Sequence, residues 1–237
     1  MIIKILTMFP EILEPVYRIP LIRRLLDQGE WSVQIIDIRE YVPGSFRHID
    51  DSPYGGGAGM IIRAEPVLKA LKSVHTDLSH TVFLTPAGIP YDQKKAHELS
   101  EKKELVLICG HYEGIDARII PDVDECISIG DYILSGGETA ALVILDSICR
   151  LQQGVIRSES IREESFEAPL LEYPQYTHPR VYDGREVPEV LLSGDHEKIR
   201  KWRLKEALRV TLKYRPDLLD RECSEEEIQL LKELEEE

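Results

Sequence analysis

The sequence predicts an α/β domain built on a mainly parallel sheet, followed by a small all-helical domain. Short apolar runs alternate with helical patterns in the first part of the 237-residue chain, as is typical of a parallel sheet covered by helices on both faces. This alternation stops after Gly154, and a helical pattern resumes at Asp195. With 43% hydrophobic and 30% charged residues, the chain has the composition of a folded protein with a packed core.

Five strands are predicted from apolar runs bounded by turn residues. They cover Ile2 to Met8, Ser32 to Ile38, Thr81 to Thr85, Glu104 to Cys109 and Glu125 to Ile129. The intervening helices are predicted to end near Gly29 and to cover Pro66 to Val74, Asp92 to Ser100 and Thr139 to Leu151. Residues 155–182 mix charges, prolines and tyrosines without periodicity, which indicates an extended linker. We therefore expect domains at 1–154 and 183–237 joined by this linker.

The second domain combines a basic helix with an acidic end. Asp195 is a plausible N-cap for a helix that runs to Tyr214, and Ser224 and Glu227 have the spacing of a capping box at the start of a last helix. Eight basic and two acidic residues lie between Glu197 and Arg215, although the whole chain carries a net charge of -14. This helix could bind phosphates or could simply be a solvated surface, and the sequence leaves both interpretations open.

Several classes of protein are excluded by what the sequence lacks. Its longest apolar stretch is far shorter than the roughly 20 residues of a membrane span, and its start lacks the basic region and cleavage site of a signal peptide. The four cysteines contain no C-x-x-C pair, which argues against a zinc site or a disulfide framework. We therefore expect a cytoplasmic protein that does not contact membranes.

Glycines are concentrated in four loops that follow or join predicted strands. The loops contain Gly55, Gly56, Gly57 and Gly59; Gly88; Gly110 and Gly114; and Gly130, Gly136 and Gly137. Ligands bind parallel sheets at the carboxyl ends of the strands, where glycine lets the backbone approach closely. The loops lack the P-loop lysine and the G-x-G-x-x-G spacing, and residues 110–116 and 128–138 contain no Lys or Arg. We therefore expect a pocket for an uncharged or cationic ligand.

Six segments carry a more specific signal than any single glycine loop. They are PYGGGAGM at 53–60, LTPAG at 84–88, CGHYEGIDAR at 109–118, SIGDYILSGGE at 128–138, YPQYTHP at 173–179 and VPEVLLSGDHEKIRKWR at 187–203. Their residues, order and spacing resemble the bacterial tRNA (guanine-N1-)-methyltransferase family of the SPOUT class over essentially the whole chain.

The resemblance implies an enzyme that transfers a methyl group from S-adenosyl-L-methionine to the guanine immediately 3′ of certain tRNA anticodons. It also implies a trefoil knot at the carboxyl end of the α/β domain and a homodimer with the active site at the subunit interface. Strand and helix patterns alone favour an open doubly wound sheet, because knotted chains are rare.

The resemblance further implies which residues form the donor pocket, with Tyr112, Ile129, Tyr132 and Leu134 enclosing the cofactor. The pocket residues are Leu84, Thr85, Pro86, Gly88, Gly110, Tyr112, Glu113, Ser128, Ile129, Gly130, Asp131, Tyr132, Ile133, Leu134, Gly136 and Gly137. The donor is a sulfonium cation, which is compatible with a pocket that lacks basic side chains. Simple core packing is the alternative for Ile129, Ile133 and Leu134.

Methylation of the guanine ring nitrogen requires a carboxylate that accepts its proton and a cation near the carbonyl oxygen, where negative charge develops. The resemblance assigns the cation to Arg150 and the carboxylate to Glu164, which stands where the family has the aspartate of an Asp-Ser-Phe motif. The extra methylene of Glu164 displaces the carboxylate by roughly 1.5 Å if the backbone stays in place. We therefore expect either a linker adjusted to the longer side chain or reduced activity.

The resemblance also implies which residues contact the tRNA. They are Tyr54, Gly55, Gly56, Gly57, Gly59, Ser165, His178, Lys198, Arg200, Lys201 and Arg203. His178 stands where the family usually has arginine. Asp51, Glu113 and Asp116 could bind Mg²⁺ or orient other groups, but carboxylates separated in this way are a weak metal signature.

Two other functions remain open at this point. A noncatalytic RNA-binding protein of the same fold would explain the departures at Glu164 and His178. A hydrolase or oxidoreductase that uses another nucleotide is supported by the fold class alone.

Overall fold

The computed structural model describes residues 1–42, 48–152, 154–155 and 164–236. The chain divides into two compact units, residues 1–156 and 157–237. The first unit is built on a five-stranded sheet in which residues 32–37, 2–7, 104–109, 79–90 and 125–128 form neighbouring strands in that order, and every neighbouring pair is parallel. The predicted α/β fold with a mainly parallel sheet is therefore confirmed.

The strands of the first unit are β1 (Ile2–Thr7), β2 (Ser32–Asp37), β3 (Asp50–Asp51), β4 (Ile61–Ile62), β5 (Ser79–Pro90), β6 (Glu104–Cys109) and β7 (Glu125–Ser128). Its helices are α1 (Pro10–Leu13), α2 (Pro20–Asp27), α3 (Ala64–Val74), α4 (Gln93–Ser100) and α5 (Gly137–Arg150). The short strands β3 and β4 form a separate antiparallel pair.

Each face of the sheet contributes to a separate part of the core. Alternate residues of β6 point to opposite faces, as the two-residue period of a strand requires. Leu105 and Leu107 pack in the cluster that contains the buried side of α5, whereas Val106 and Ile108 pack in the cluster that contains the buried side of α3. All six residues of β6 are buried, which fixes the carboxyl ends of the strands as a rigid base for the loops above them.

The helical segment before Gly29 differs from the prediction. The single helix expected before Gly29 is two helices, α1 and α2, separated by a 3-10 turn over Glu14–Arg18. Pro15 and Pro20 explain the interruption because proline lacks the N–H group that a continuous helix needs.

The strand expected to end at Thr85 continues, as β5, to Pro90 after a short detour. Leu84 and Ile89 both pair with Ile127 of β7, so residues 85–88 bulge out of the sheet between them. Gly88 lies so close to the backbone of Ile127 that a Cβ atom would collide with it. The detour therefore places Thr85 and Pro86 above the sheet rather than within it.

The second unit contains the strand pair β8 (Val181–Tyr182) and β9 (Arg185–Glu186) and the helices α6 (His196–Tyr214) and α7 (Glu225–Glu235). The predicted N-cap at Asp195 and the predicted capping box of Ser224 and Glu227 are both present. Leu208 of α6 and Leu230 of α7 are fully buried in one cluster with Leu170, so the two helices pack together. Within the described ranges, no helix has the length and apolar character needed to cross a bilayer.

Candidate functional site

A cavity of about 250 Å³ lies beside the detour of β5 and at the carboxyl ends of β6 and β7. It is lined by residues 83–86, 110–114, 127–130, 132–137 and 140. The structure thus brings together most of the residues expected in the donor pocket: Leu84, Thr85, Pro86, Gly110, Tyr112, Glu113, Ser128, Ile129, Gly130, Tyr132, Ile133, Leu134, Gly136 and Gly137. Of the two remaining residues, Gly88 lies close to the backbone of Cys126 and Ile127 in β7, and Asp131 is exposed on the adjoining loop.

The loop after β6 forms one wall of the pocket. Tyr112 has a positive φ of 57°, and the loop closes on itself through a hydrogen bond from the Gly114 N–H to the His111 carbonyl at 3.0 Å. The Glu113 N–H donates to the carbonyl of Met60 at 3.1 Å. This bond joins the wall to residues 53–60, the first glycine loop of the sequence.

Most of the first glycine loop extends into solvent. Tyr54, Gly55, Gly56 and Gly57 are exposed. Gly59 approaches the wall so closely that a Cβ atom there would collide with the side chain of Glu113. The expected substrate loop and the expected donor pocket therefore adjoin one another through Gly59 and Glu113.

The opposite wall consists of residues 128–137 and ends in exposed apolar side chains. Ile133 is 81% exposed, and Tyr132 and Leu134 are also exposed. Core packing therefore does not explain Ile133 or Leu134, whereas Ile129 is partly buried and packs against the core. Large apolar side chains at the mouth of a pocket are suited to covering a ligand.

The charge of the pocket limits what it can bind. Glu113 is the single Asp or Glu among its lining residues, and the lining that the structure describes contains no Lys or Arg. The Nδ1 atom of His111 is buried without a hydrogen-bond partner in the described part of the chain. A polyphosphate would find little compensating charge here, whereas a cationic donor with polar edges fits.

His111 and Ser135 also line the cavity, and both lie within the ranges 110–113 and 128–137 that the resemblance implies for the pocket. Sequence reasoning did not assign Phe83, Gly114, Ile127 or Ala140 to the donor pocket, and these four residues line the cavity as well. Phe83 and Ile127 lie in predicted strands that end at the pocket, which was the available signal for them.

Arg150 and Glu164 belong to different units. Arg150 is the last residue of α5 in the first unit, where a positive charge also suits the negative end of the helix dipole. Glu164 begins a tight turn of the second unit, in which the Glu167 N–H donates to the Glu164 carbonyl at 3.3 Å. Ser165 accepts a hydrogen bond from the Glu172 N–H at 2.9 Å, and Phe166 has a positive φ of 72°. The turn thus has a defined backbone conformation beside the expected base.

The basic residues of α6 are engaged by neighbouring groups. Arg200 contacts both Glu197 and Glu226 at 2.7 Å. These hydrogen bonds raise the pKa of its guanidinium above the ordinary value for arginine. Lys198 pairs with Asp195 at 3.0 Å. Lys201 lies 3.9 Å from Glu233, and Arg203 lies over the ring of Tyr173. His178, which is expected to contact the tRNA but lies outside α6, is exposed.

Asp51, Glu113 and Asp116, the carboxylates considered as ligands for Mg²⁺, do not form a metal-binding cluster. Asp116 holds Arg118 in a pair of hydrogen bonds from the guanidinium. Hydrogen bonds from the side chain and backbone of Arg118 lower the pKa of Asp116 to about 2. No group of three or more His, Cys, Asp or Glu residues within the described ranges could hold a metal ion.

The fold and the site define an α/β domain with a ligand-sized pocket at the carboxyl ends of its parallel strands. Comparison with known families then gives the particular family. The sequence model of one protein family, described as tRNA (Guanine-1)-methyltransferase TrmD, matches residues 1–221, and the chain belongs to this family.

Curated relatives carry the same name over nearly their whole length. A tRNA (guanine-N(1)-)-methyltransferase of Dictyoglomus turgidum is 45% identical over 237 residues, which cover 99% of this chain and 97% of that protein. Its counterpart in Caldicellulosiruptor saccharolyticus is 50% identical over 93% of this chain and 91% of that protein. Its counterpart in Treponema denticola is 48% identical over 98% of this chain and 98% of that protein. The predicted family and the predicted methyltransferase class are confirmed, and they are favoured over a noncatalytic RNA-binding protein.

Proposed function

We propose that this chain transfers a methyl group from S-adenosyl-L-methionine to ring N1 of the guanine immediately 3′ of the anticodon in tRNA. The match of residues 1–221 to the TrmD family carries the proposal. The pocket supports it because the described lining presents one carboxylate and no basic side chain, as a cationic donor requires.

When bound, the donor supplies a methyl group on a positively charged sulfur. Glu113 would provide negative charge on the pocket wall, and backbone groups of residues 84–86, 110 and 128–130 would hold the polar edges of the adenine. Tyr132, Ile133 and Leu134 cover the donor and exclude water. All of these residues belong to the loops that the sheet holds in place, so the pocket is largely preformed.

On the acceptor side, Glu164 accepts the N1 proton and the guanidinium of Arg150 stabilises the negative charge that develops on the guanine carbonyl oxygen. The donor would supply the methyl group for N1, its sulfur would keep the electron pair of the broken carbon–sulfur bond to leave a neutral thioether, and Glu164 would hold the N1 proton. Tyr54, Gly55, Gly56, Gly57, Gly59, Ser165 and His178 position the tRNA.

The organisation implied by the resemblance completes the proposal. It comprises a knotted α/β domain at 1–154, a linker at 155–182 and a helical tRNA-binding domain at 183–237, in a cytoplasmic homodimer whose active sites lie at the subunit interface. Sedimentation measurements would test the dimer, and a monomer with full activity would contradict it.

The proposed reaction is tested by incubating the protein with labelled donor and unmodified tRNA and then analysing the nucleosides. We expect 1-methylguanosine at the position 3′ of the anticodon. S-adenosyl-L-methionine at 100 times its Kd should also raise the free energy of unfolding by about 2.7 kcal/mol, whereas NAD and ATP should not. Stabilisation by the donor without methyl transfer to any tRNA would favour the noncatalytic function.

We expect α6 to contribute phosphate contacts in spite of its ion pairs. Replacing Lys198, Arg200, Lys201 and Arg203 together with Gln should weaken tRNA binding and flatten its dependence on salt, because fewer counterions are released. Donor affinity should stay close to that of the parent. Filter binding over a salt series and calorimetry with the donor measure the two quantities.

A control for net charge is available in the first unit. Replacing Lys69, Lys72, Lys94 and Lys102 with Gln changes the total charge equally but leaves α6 intact. This control should retain the parental salt dependence. Equal salt slopes for the parent and the α6 variant would make the basic residues an ordinary solvated surface.

A further inference from the structure

Glu138 is a buried carboxylate that the proposed reaction does not use. It lies in the first turn of α5 and is only 2% exposed. Burial of a carboxylate is costly unless hydrogen bonds or opposite charge compensate. The amino end of a helix compensates in part, and the Thr7 hydroxyl donates a hydrogen bond to the Glu138 Oε1 atom at 2.6 Å. This carboxylate is therefore held in a specific position rather than merely tolerated.

The hydroxyl group of Thr7 both donates and accepts a hydrogen bond. It is the last residue of β1 and is fully buried. Its Oγ1 atom accepts a hydrogen bond from the Phe9 N–H at 2.8 Å, so its single proton is directed to Glu138. Phe9 in turn packs against the imidazole of His111, with 4.7 Å between the ring centres. The end of β1 is thereby joined both to α5 and to a wall of the pocket.

The second oxygen of Glu138 lies against the turn that starts α5. A Cβ atom on Gly136 would collide with the Glu138 Oε2 atom and would stand 3.0 Å from the His111 Nε2 atom. Gly136 also forms an isolated antiparallel bridge with His111, and the Gly137 N–H donates to the Gly110 carbonyl at 2.8 Å. Gly136, Gly137 and His111 all line the cavity. The carboxylate of Glu138 thus supports the pocket from behind without lining it.

We propose that Thr7 and Glu138 are positioning residues for the methyl donor: their buried hydrogen bond holds the Gly136–Gly137 turn against His111 in the geometry that binds the donor. This inference rests on the proposed function, because it concerns affinity for S-adenosyl-L-methionine. Neither side chain lines the cavity. The pair should therefore control donor affinity and the KM for the donor much more than kcat.

The first test is Thr7→Val, which keeps the shape of the side chain and removes its proton. We expect donor affinity, measured by calorimetry on the protein without tRNA, to fall about tenfold, within the range for hydrogen bonds to charged groups. Thr7→Ser should restore affinity to within about twofold because it keeps the hydroxyl. The KM for the donor should rise in Thr7→Val while kcat and tRNA affinity change little.

Thr81 provides a matched control for the loss of a buried hydroxyl. It is fully buried in β5, and its Oγ1 atom has no hydrogen-bond partner among the residues that the structure describes. Thr81→Val should therefore leave donor affinity unchanged. A similar loss of affinity in both threonine variants would assign the effect to general loosening of the sheet and overturn the proposal.

A double variant separates positioning from stability. Thr7→Val combined with Glu138→Met replaces both partners with apolar groups of similar shape, which is nearly neutral for stability when the packing is kept. We expect its thermal midpoint to approach that of the parent while donor affinity stays about tenfold lower. Recovery of donor affinity together with stability would overturn the proposal. This variant also carries the test if Thr7→Val alone fails to fold.

The parent protein distinguishes the two levels of inference. If the parent binds S-adenosyl-L-methionine and Thr7→Val binds it equally well, the positioning role is wrong and the proposed function stands. If the folded parent shows no affinity for this donor, the proposed function fails and the positioning role fails with it.

Discussion

Replacing Glu164 with Gln should lower single-turnover methyl transfer by about a hundredfold or more, the usual scale of positioned general-base catalysis. The amide keeps the shape of the side chain but cannot accept the N1 proton of guanine. Affinities for the donor and for tRNA should stay near those of the parent, because the pocket loops and α6 are unchanged. The measurement is methyl transfer at saturating donor and tRNA.

Two variants make this result specific to Glu164. Glu167→Gln changes a carboxylate of the same turn and should retain activity. Glu164→Asp restores the family residue and should also retain activity, with a rate that reports how the backbone has adapted to the longer side chain. Equal rates for Glu164→Gln and the parent would refute the assignment and make Glu163, which lies outside the described residues, the next candidate.

Gly130→Val should abolish measurable donor binding in a protein that still folds. Gly130 has a φ of 149°, and a Cβ atom there would stand 2.5 Å from the ring of Tyr132. A branched side chain is strained in this backbone region and would displace Tyr132, one of the residues that we expect to cover the donor. Calorimetry with S-adenosyl-L-methionine measures the loss, and circular dichroism establishes that the variant is folded.

Gly29→Val is the matched control for backbone strain. Gly29 also has a positive φ, of 71°, but no atom lies within 4 Å of its Cβ position, and it is remote from the lining of the pocket. This variant should lose stability without losing donor affinity. Normal donor affinity in folded Gly130→Val would contradict the proposed pocket.

The sequence predicted the pocket because local signals and topology agree there. Apolar runs located the strands, and glycines after them marked the edge where the carboxyl ends of parallel strands meet. The detour of β5 could not be predicted in the same way. Pro86 and Gly88 indicate the end of a strand, and only pairing of both Leu84 and Ile89 with Ile127 shows that the strand resumes.

Contacts between distant residues also lay beyond the sequence. Thr7 and Glu138 are 131 positions apart, and each has an ordinary local explanation, as a strand residue and as an acidic residue in the first turn of a helix. Their hydrogen bond exists because β1 and the start of α5 meet in the folded domain. The pairing of Arg200 with Glu226 was likewise hidden, because charge counts treated the basic helix and the acidic end as separate segments.

If α6 binds tRNA as proposed, the phosphates compete with the carboxylates of α6 and α7 that already pair with its basic side chains. A phosphate that approaches Arg200 meets a guanidinium already held by Glu197 and Glu226, so it must displace a partner of equal sign. The eight basic residues of this region therefore do not act as eight vacant sites, and an isolated phosphate gains little by binding. An RNA whose phosphate backbone replaces several carboxylates at once gains more binding free energy. We therefore expect α6 to favour an RNA of matching shape over polyanions in general.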